Sequence, residues 1–106
     1  MFAKKSGIKK EKIILDPGIG FDKSFEENCQ LIRNCGDLSF CEIPVLMALS
    51  NKRCIGAMIN ENEDSAKRGV GTACANLFAV ESGAKIIRVH DVKSAIDSLN
   101  VMKFLK

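Results

Sequence analysis

Three short apolar runs punctuate the chain: Ile13-Ile14-Leu15, Pro44-Val45-Leu46-Met47-Ala48-Leu49 and Ala84-Lys85-Ile86-Ile87-Arg88-Val89. Each is too short for a globular helix. The first two lack polar alternation, which is the pattern of strands covered on both faces. The segments between them repeat at three and four residues instead. Ser24-Phe25-Glu26-Glu27 has the S-x-x-E form of a capping box, in which Ser and Glu each satisfy an orphan backbone N–H. Phe25, Cys29, Ile32 and Cys35 then predict a helix that stops at Gly36 as its C′ residue. Asn51 to Glu63, with Gly56 and many polar residues, reads as irregular. Ala66, Val70, Ala73, Cys74, Leu77 and Val80 predict a second helix ending at Gly83, and the small residues Gly69, Gly71, Ala73 and Ala75 suit close packing on a sheet. Val92, Ala95, Ile96, Leu99 and Met102 predict a third, with Asp91 or Ser94 near its start.

Strand and helix thus alternate three times, which demands parallel strands and right-handed crossovers. Two α/β architectures fit, a small doubly wound sheet or part of a TIM (β/α)8 barrel. At about 31 residues per unit in a barrel of roughly 250, 106 residues supply a little over three units. On the barrel reading most of the barrel is missing from this sequence. Residues 1–11 read as a linker or helix remnant, broken at Ser6-Gly7 and ending in the charge run Lys9-Lys10-Glu11-Lys12. Residues 12–106 form the α/β unit.

Charge and composition narrow the function. Sixteen Lys and Arg against 13 Asp and Glu leave +3, a mild field that suits an anionic ligand but lacks the one-sided basicity of a nucleic-acid binder. The longest apolar runs are about six to eight residues where a membrane span needs about twenty, and Met1-Phe2-Ala3-Lys4-Lys5 opens no signal-peptide core. The expectation is a cytoplasmic protein with neither nucleic acid nor membrane as partner. Five cysteines, Cys29, Cys35, Cys41, Cys54 and Cys74, never form C-x-x-C, and the single histidine is not spaced with them for zinc. They are expected to be buried reduced thiols acting as small hydrophobes, not a disulfide scaffold or a metal site.

In parallel α/β folds chemistry sits at the carboxyl ends of the strands, and the unusual polar residues of this chain fall there. The first run ends in Asp16-Pro17-Gly18-Ile19-Gly20-Phe21-Asp22-Lys23, the second in Ser50-Asn51-Lys52-Arg53, and the third carries Arg88 and His90. A period of two puts Arg88 and His90 on one face. Asp16 before Pro-Gly is by itself a good turn residue, and Gly18 and Gly20 fall short of a phosphate-binding fingerprint. A guanidinium that clamps two oxygens beside an imidazole that donates a third bond is, however, what a phosphate or other oxyanion requires.

Asp16-Pro17-Gly18-Ile19-Gly20-Phe21, Ser50-x-Lys52 with Ile55-Gly56, the Ala75–Gly83 helix and Arg88-Val89-His90-Asp91-Val92 occur in order, and together they resemble the D-P-G-x-G-F, S-R-K-x-x-I-G, A-N-L-x-A-V-x-x-G and R-V-H-D-V segments of dihydropteroate synthases. The resemblance covers nearly the whole chain from Lys12. It implies units six to eight of a (β/α)8 barrel. The implied reaction joins 4-aminobenzoate to 6-hydroxymethyl-7,8-dihydropterin diphosphate and releases pyrophosphate, with Mg²⁺ present and its main protein ligand outside this chain. Carried over residue by residue, Asp16 would meet the pterin's N–H edge, Lys52 the pterin carbonyl and developing charge, and Arg88 and His90 the diphosphate. Gly20, Phe21, Ser50 and Arg53 complete the implied substrate-binding set, with Phe21 lining the aminobenzoate pocket. Asn51 replaces the family's usual Arg, Asp22 a usual Gly, and Arg53 a frequent Ser. A pterin-binding barrel of the kind used by corrinoid-linked methyltransferases, or a truncated product without activity, are the alternatives. A piece of this size would expose sheet edges. It is therefore expected to self-associate as a homo-oligomer, or to be completed by the missing barrel half, and to turn over negligibly alone.

Overall fold

A computed structural model describes residues 14–20, 23–38 and 43–106. The linker at residues 1–11, Phe21, Asp22 and Cys41 lie outside them. The elements follow the alternating order: α1 (Phe25–Arg33), β1 (Leu46–Met47), α2 (Arg53–Met58), α3 (Gly69–Glu81), β2 (Ile86–Ile87) and α4 (Val92–Leu105). Leu15 bridges Val45 in parallel, and β1 pairs with β2 in parallel at Leu46↔Ile86 and Met47↔Ile87. The ladder is built from Leu15 N to Pro44 O (3.0 Å), Leu46 N to Leu15 O (2.8 Å), Ile86 N to Val45 O (3.3 Å) and Arg88 N to Met47 O (3.0 Å). Parallel neighbours need a crossover, and α1 and the α2–α3 pair provide the two.

Val45, Met47 and Leu49 are wholly buried and form the core with Ile19, Ile32, Cys35 and Ile55. Leu46, Ile86 and Ile87 stay partly exposed and Ile14 is 54% exposed. The central run is therefore packed on its helix side by Val45, Met47 and Leu49, while on the other face Ala48 and Ser50 are buried and Leu46 is only partly covered.

The capping box forms as the sequence requires: Glu27 N donates to Ser24 Oγ at 3.1 Å and Ser24 N to Glu27 Oε1 at 3.0 Å. Hydrogen bonding to the carboxyl from the Ser24 backbone N–H, and then from the Ser24 side chain, holds Glu27 below its ordinary 4.5. At the start of α4 the choice between Asp91 and Ser94 resolves to Asp91, whose carboxylate accepts from Ser94 N at 3.0 Å and Ser94 Oγ at 2.6 Å.

Several expectations are corrected. Helix α1 ends at Arg33 with Asn34 as its C-cap, and Gly36 lies in a following 3-10 turn, Cys35–Leu38. Glycine is needed there because a Cβ would run into the Ser82 carbonyl, where the turn crosses Gly83. The stretch Asn51–Glu63 is not irregular throughout, since Arg53–Met58 is helical. In α3 the apolar stripe does not mark the buried face. Thr72, Asn76 and Ala79 are buried, while Val70 is 80% exposed and Cys74 is exposed. This helix is apolar nearly all round, so hydrophobic spacing alone cannot orient it. Val70, Cys74 and Phe78 line an open apolar groove of about 650 Å³ with Cys29, Met58 and Ile59. The four described cysteines are free, and only Cys35 and Cys54 are buried small hydrophobes whose thiols burial pushes up. Cys29 is half-buried. No helix among the described residues is long and apolar enough to cross a membrane.

Two outcomes follow for stability. Gly36→Ala, forced against backbone, lowers unfolding free energy by about 1–3 kcal/mol in urea titration, and Leu49→Ala by about 2–5 kcal/mol. Ser24→Ala returns the Glu27 titration, read by carboxyl carbon NMR, toward 4.5. In the parent chain the stabilisation from this carboxylate is present above 4.5 and disappears as pH falls through the lowered value.

Candidate functional site

The strand register brings the polar ends together. A forty-residue offset between β1 and β2 sets Ser50 opposite His90, and His90 N donates to Ser50 Oγ at 3.2 Å. The backbone ladder stops there because the next acceptor is a side chain, so Arg88 and His90 lie just beyond β2 and not within a strand. They still share one surface. Ser50, Lys52, Arg88 and His90 line a single cleft of about 290 Å³ with Ala48 and Val89.

Lys52 reaches across to the first strand end, where its Nζ donates to Ile19 O at 2.6 Å. Partial burial lowers its pKa from 10.5; Asp16 pulls the other way, and Arg88 adds to the lowering. Both charges thus act on Lys52, which ties the three strand ends into one electrostatic unit. On its other side Lys52 borders a second cleft, of about 440 Å³, lined also by Ile19, Gly20, Asn51, Arg53 and Arg68. Arg53 is exposed there, at the first position of α2.

Asp16 is exposed, and its Oδ1 accepts from Gly18 N at 2.8 Å, the turn geometry its Pro-Gly context suggests. One carboxylate oxygen is thereby fixed while its fellow remains directed by the same turn. Lys23 Nζ donates to Gly18 O at 3.0 Å and Gly20 N to Asn28 Oδ1 at 2.9 Å, so Lys23 ahead of α1 and Asn28 within it steady the glycine loop.

Asn28, Thr72, Arg68 and Asn76 support the site and escaped sequence reasoning. Asn28 is 5% exposed on the apolar side of α1; a polar residue at a position of the apolar spacing was the signal. Asn51 adopts φ +56°, a left-handed conformation that asparagine tolerates. It is held twice by Thr72, with Asn51 N donating to Thr72 Oγ1 at 3.0 Å and Thr72 Oγ1 to Asn51 Oδ1 at 3.2 Å. Arg68, 5% exposed, donates through Nε to Glu61 O at 3.1 Å and through Nη1 to Asn51 O at 2.9 Å. Gly56 is the trace it leaves in the sequence, because a Cβ there would strike this guanidinium and the Glu61 carbonyl. Asn76 is the fourth, buried on α3. Among the described residues no group of three or more His, Cys, Asp or Glu side chains is placed to hold a metal.

With Arg88 lining one cleft beside Lys52, this ammonium partly desolvated between two clefts and the exposed Asp16 carboxylate acting on it, the site suits a polar ligand bearing an anionic group. Comparisons with known proteins agree. A profile of the family described as pterin binding enzyme matches residues 2–90. Dihydropteroate synthase of Haemophilus influenzae is 48% identical over 98 residues, covering 91% of this chain and 34% of that protein, and the Neisseria meningitidis serogroup C enzyme is 42% identical over 101 residues, 94% of this chain and 35% of that one. Xanthomonas albilineans dihydropteroate synthase, solved with 4-aminobenzoic acid, superposes with a TM-score of 0.92 at 38% identity over 98% of this chain and 38% of that one. The same enzyme solved in complex with 7,8-dihydropteroate also gives 0.92 and 38%, over 98% and 39%. The chain spans about a third of the length of the curated relatives it matches, in their C-terminal portion, and is part of a TIM-barrel α/β fold.

Two measurements probe this arrangement. Inorganic pyrophosphate added to fill the cleft lined by Ser50, Lys52, Arg88 and His90 is expected to raise the Lys52 titration, followed by ¹³Cε NMR, back toward 10.5. In the free chain the unfolded state holds this proton more tightly, so Lys52 makes stability increase with pH between its lowered value and 10.5. Thr72→Val removes both hydrogen bonds between Thr72 and Asn51 and lowers stability by about 1–3 kcal/mol in urea.

Proposed function

The chain belongs to the pterin binding enzyme family, and on that premise we propose that it is the C-terminal part of a dihydropteroate synthase carrying one side of the pterin and diphosphate site. One observation carries the reading: Ser50, Lys52, Arg88 and His90, from two different strand ends, converge on a single cleft beside a second that shares Lys52. The substrates are 6-hydroxymethyl-7,8-dihydropterin diphosphate and 4-aminobenzoate. A C–N bond forms between the aromatic amine and the pterin methylene carbon as the C–O bond to the diphosphate breaks and the amine gives up a proton.

Each residue has a role in that exchange. Arg88 presents two parallel N–H donors to the leaving diphosphate and His90 a further one, stabilising the negative charge that grows on the departing oxygen. Lys52, close to both, meets the pterin carbonyl and limits the charge developing between the clefts. Asp16 accepts from the N–H edge of the pterin, and Gly20 keeps the loop next to Lys52 thin enough for a flat ring. Ser50 fixes the His90 backbone. Arg53 stands at the 440 Å³ cleft, where a cation pairs with the aminobenzoate carboxylate in place of the family's frequent serine. Phe21, beyond the described residues, is assigned to the same pocket.

The residues of the 290 Å³ cleft do not fit a magnesium site. Cations and a neutral hydroxyl are poor partners for a hard divalent ion. Mg²⁺ would accompany the diphosphate, held by its oxygens and by groups other than these, and no step is assigned to it. The reading further places the protein in the cytoplasm, working on small molecules and associated with a second copy or with the remainder of a barrel. Positioning supplies at best about 7–11 kcal/mol of a barrier reduction, and these residues clasp the substrates from one side. Turnover by the 106-residue chain alone is therefore expected to be negligible.

Isothermal titration with the pterin diphosphate tests the reading. Binding that weakens about tenfold or more in Arg88→Ala, as loss of a charge-assisted pair implies, supports it. Pterin binding indifferent to Arg88→Ala would instead identify a methyltransferase-like pterin module. Asp16→Asn, which swaps one acceptor for a donor, weakens pterin binding without weakening inorganic pyrophosphate binding, and equal losses for both ligands would remove the role given to Asp16.

A further inference from the structure

Behind the cleft that holds Arg88 and His90 lies a smaller and more enclosed space of about 120 Å³, walled by Ser50, Asn51, Thr72, Asn76, Asp91 and Ser94 together with apolar neighbours. Ser50 and Val89 line both spaces, so they form the partition. Most polar atoms on this wall are engaged. Ser50 Oγ accepts from His90 N, Thr72 Oγ1 is bound to Asn51, and both oxygens of Asp91 accept from Ser94. Asn76 is the exception. It is 3% exposed, and its Oδ1 has no hydrogen-bond partner among the described residues.

Buried amide oxygens are almost always paired, and where protein supplies no donor, ordered water does. Asn76 sits in a helix whose other residues are largely small and apolar, so an amide here has no packing reason. The space accommodates several waters at roughly 30 Å³ each. An ion is a poorer guest, since the one carboxylate on the wall already holds the Ser94 amide and hydroxyl. A water that donates one hydrogen to Asn76 Oδ1 has a second for Ser50 Oγ, which has a lone pair left after accepting from His90 N.

We propose that this cavity binds ordered water, and that through it Asn76 is a positioning residue that ties α3 to Ser50 and so to the His90 backbone at the rim of the anion cleft. The positioning role rests on the anion reading given above; the hydration of the cavity does not.

The test uses the ¹⁵N-labelled 106-residue chain and two variants, Asn76→Leu, similar in shape without an acceptor, and Asn76→Ser, which keeps an acceptor and leaves more room for water. Water-to-protein cross-relaxation reads the cavity, the His90 amide shift reads the partition, and titration with inorganic pyrophosphate reads the cleft. The parent chain is expected to show long-lived water at the Asn76 side-chain amide. In Asn76→Leu that signal vanishes, the His90 amide shifts, and the pyrophosphate dissociation constant rises about three- to tenfold, the range of one hydrogen bond; Asn76→Ser restores the amide position and most of the affinity. A parent chain without long-lived water at Asn76 overturns the proposal whatever the variants do. So does an Asn76→Leu chain with the His90 amide and pyrophosphate affinity unchanged. If hydration and the His90 shift behave as expected but the parent chain binds no pyrophosphate, the link between Asn76 and Ser50 stands and the anion reading fails.

Discussion

Register governs this structure. The pairing of Leu46 with Ile86 and of Leu15 with Val45 fixes two offsets, forty and thirty residues. Every polar group of the site inherits its place from them. A slip of one residue would turn Val45, Met47 and Leu49 from the helix side of the sheet to the other, and would move Ser50 out of line with His90. Burial of three fully enclosed side chains thus enforces the alignment of a hydroxyl with an amide four positions further on. Apolar packing specifies the chemistry without touching it.

Beyond the sheet, the site is held by polar atoms working inside the helical layer. Asn28 steadies the Gly20 loop, Thr72 holds Asn51 in its left-handed turn, and Arg68 grips the carbonyls of Asn51 and Glu61 from an almost fully enclosed position. None of these side chains belongs to the cleft lined by Arg88 and His90. They are costly to bury and each is paired to backbone, which is how a loop of few residues becomes a rigid platform. Asn51 is legible in the same light, because asparagine is at ease with positive φ and the Arg68 guanidinium holds its carbonyl.

Much of this was open to reading from the chain. The second and third apolar runs gave the two parallel strands and the first an isolated parallel bridge, the S-x-x-E signature gave the start of α1, and placement at run ends anticipated that Asp16 and Arg88 act on Lys52 and that Lys52, Arg88 and His90 share a cleft. What resisted reading has physical causes. Helix α3 is apolar on all sides, so its spacing could not reveal that Thr72 and Asn76 face inward and Val70 outward. Gly36 looks like a helix stop but answers to a carbonyl almost fifty residues away, a contact with no local trace. The short α2 begins without a side-chain cap at Lys52 and so offered nothing to recognise at its start.

Lys52 stands in the wall between two clefts, and one ammonium cannot answer to two neighbours independently. A guest on either side alters the proton affinity and the reach of this group, and with them the welcome given on the other. Ligands in the two clefts would each tune the other's hold on the protein, by equal factors in both directions. Cooperation between them would then need no moving part, only a shared charge.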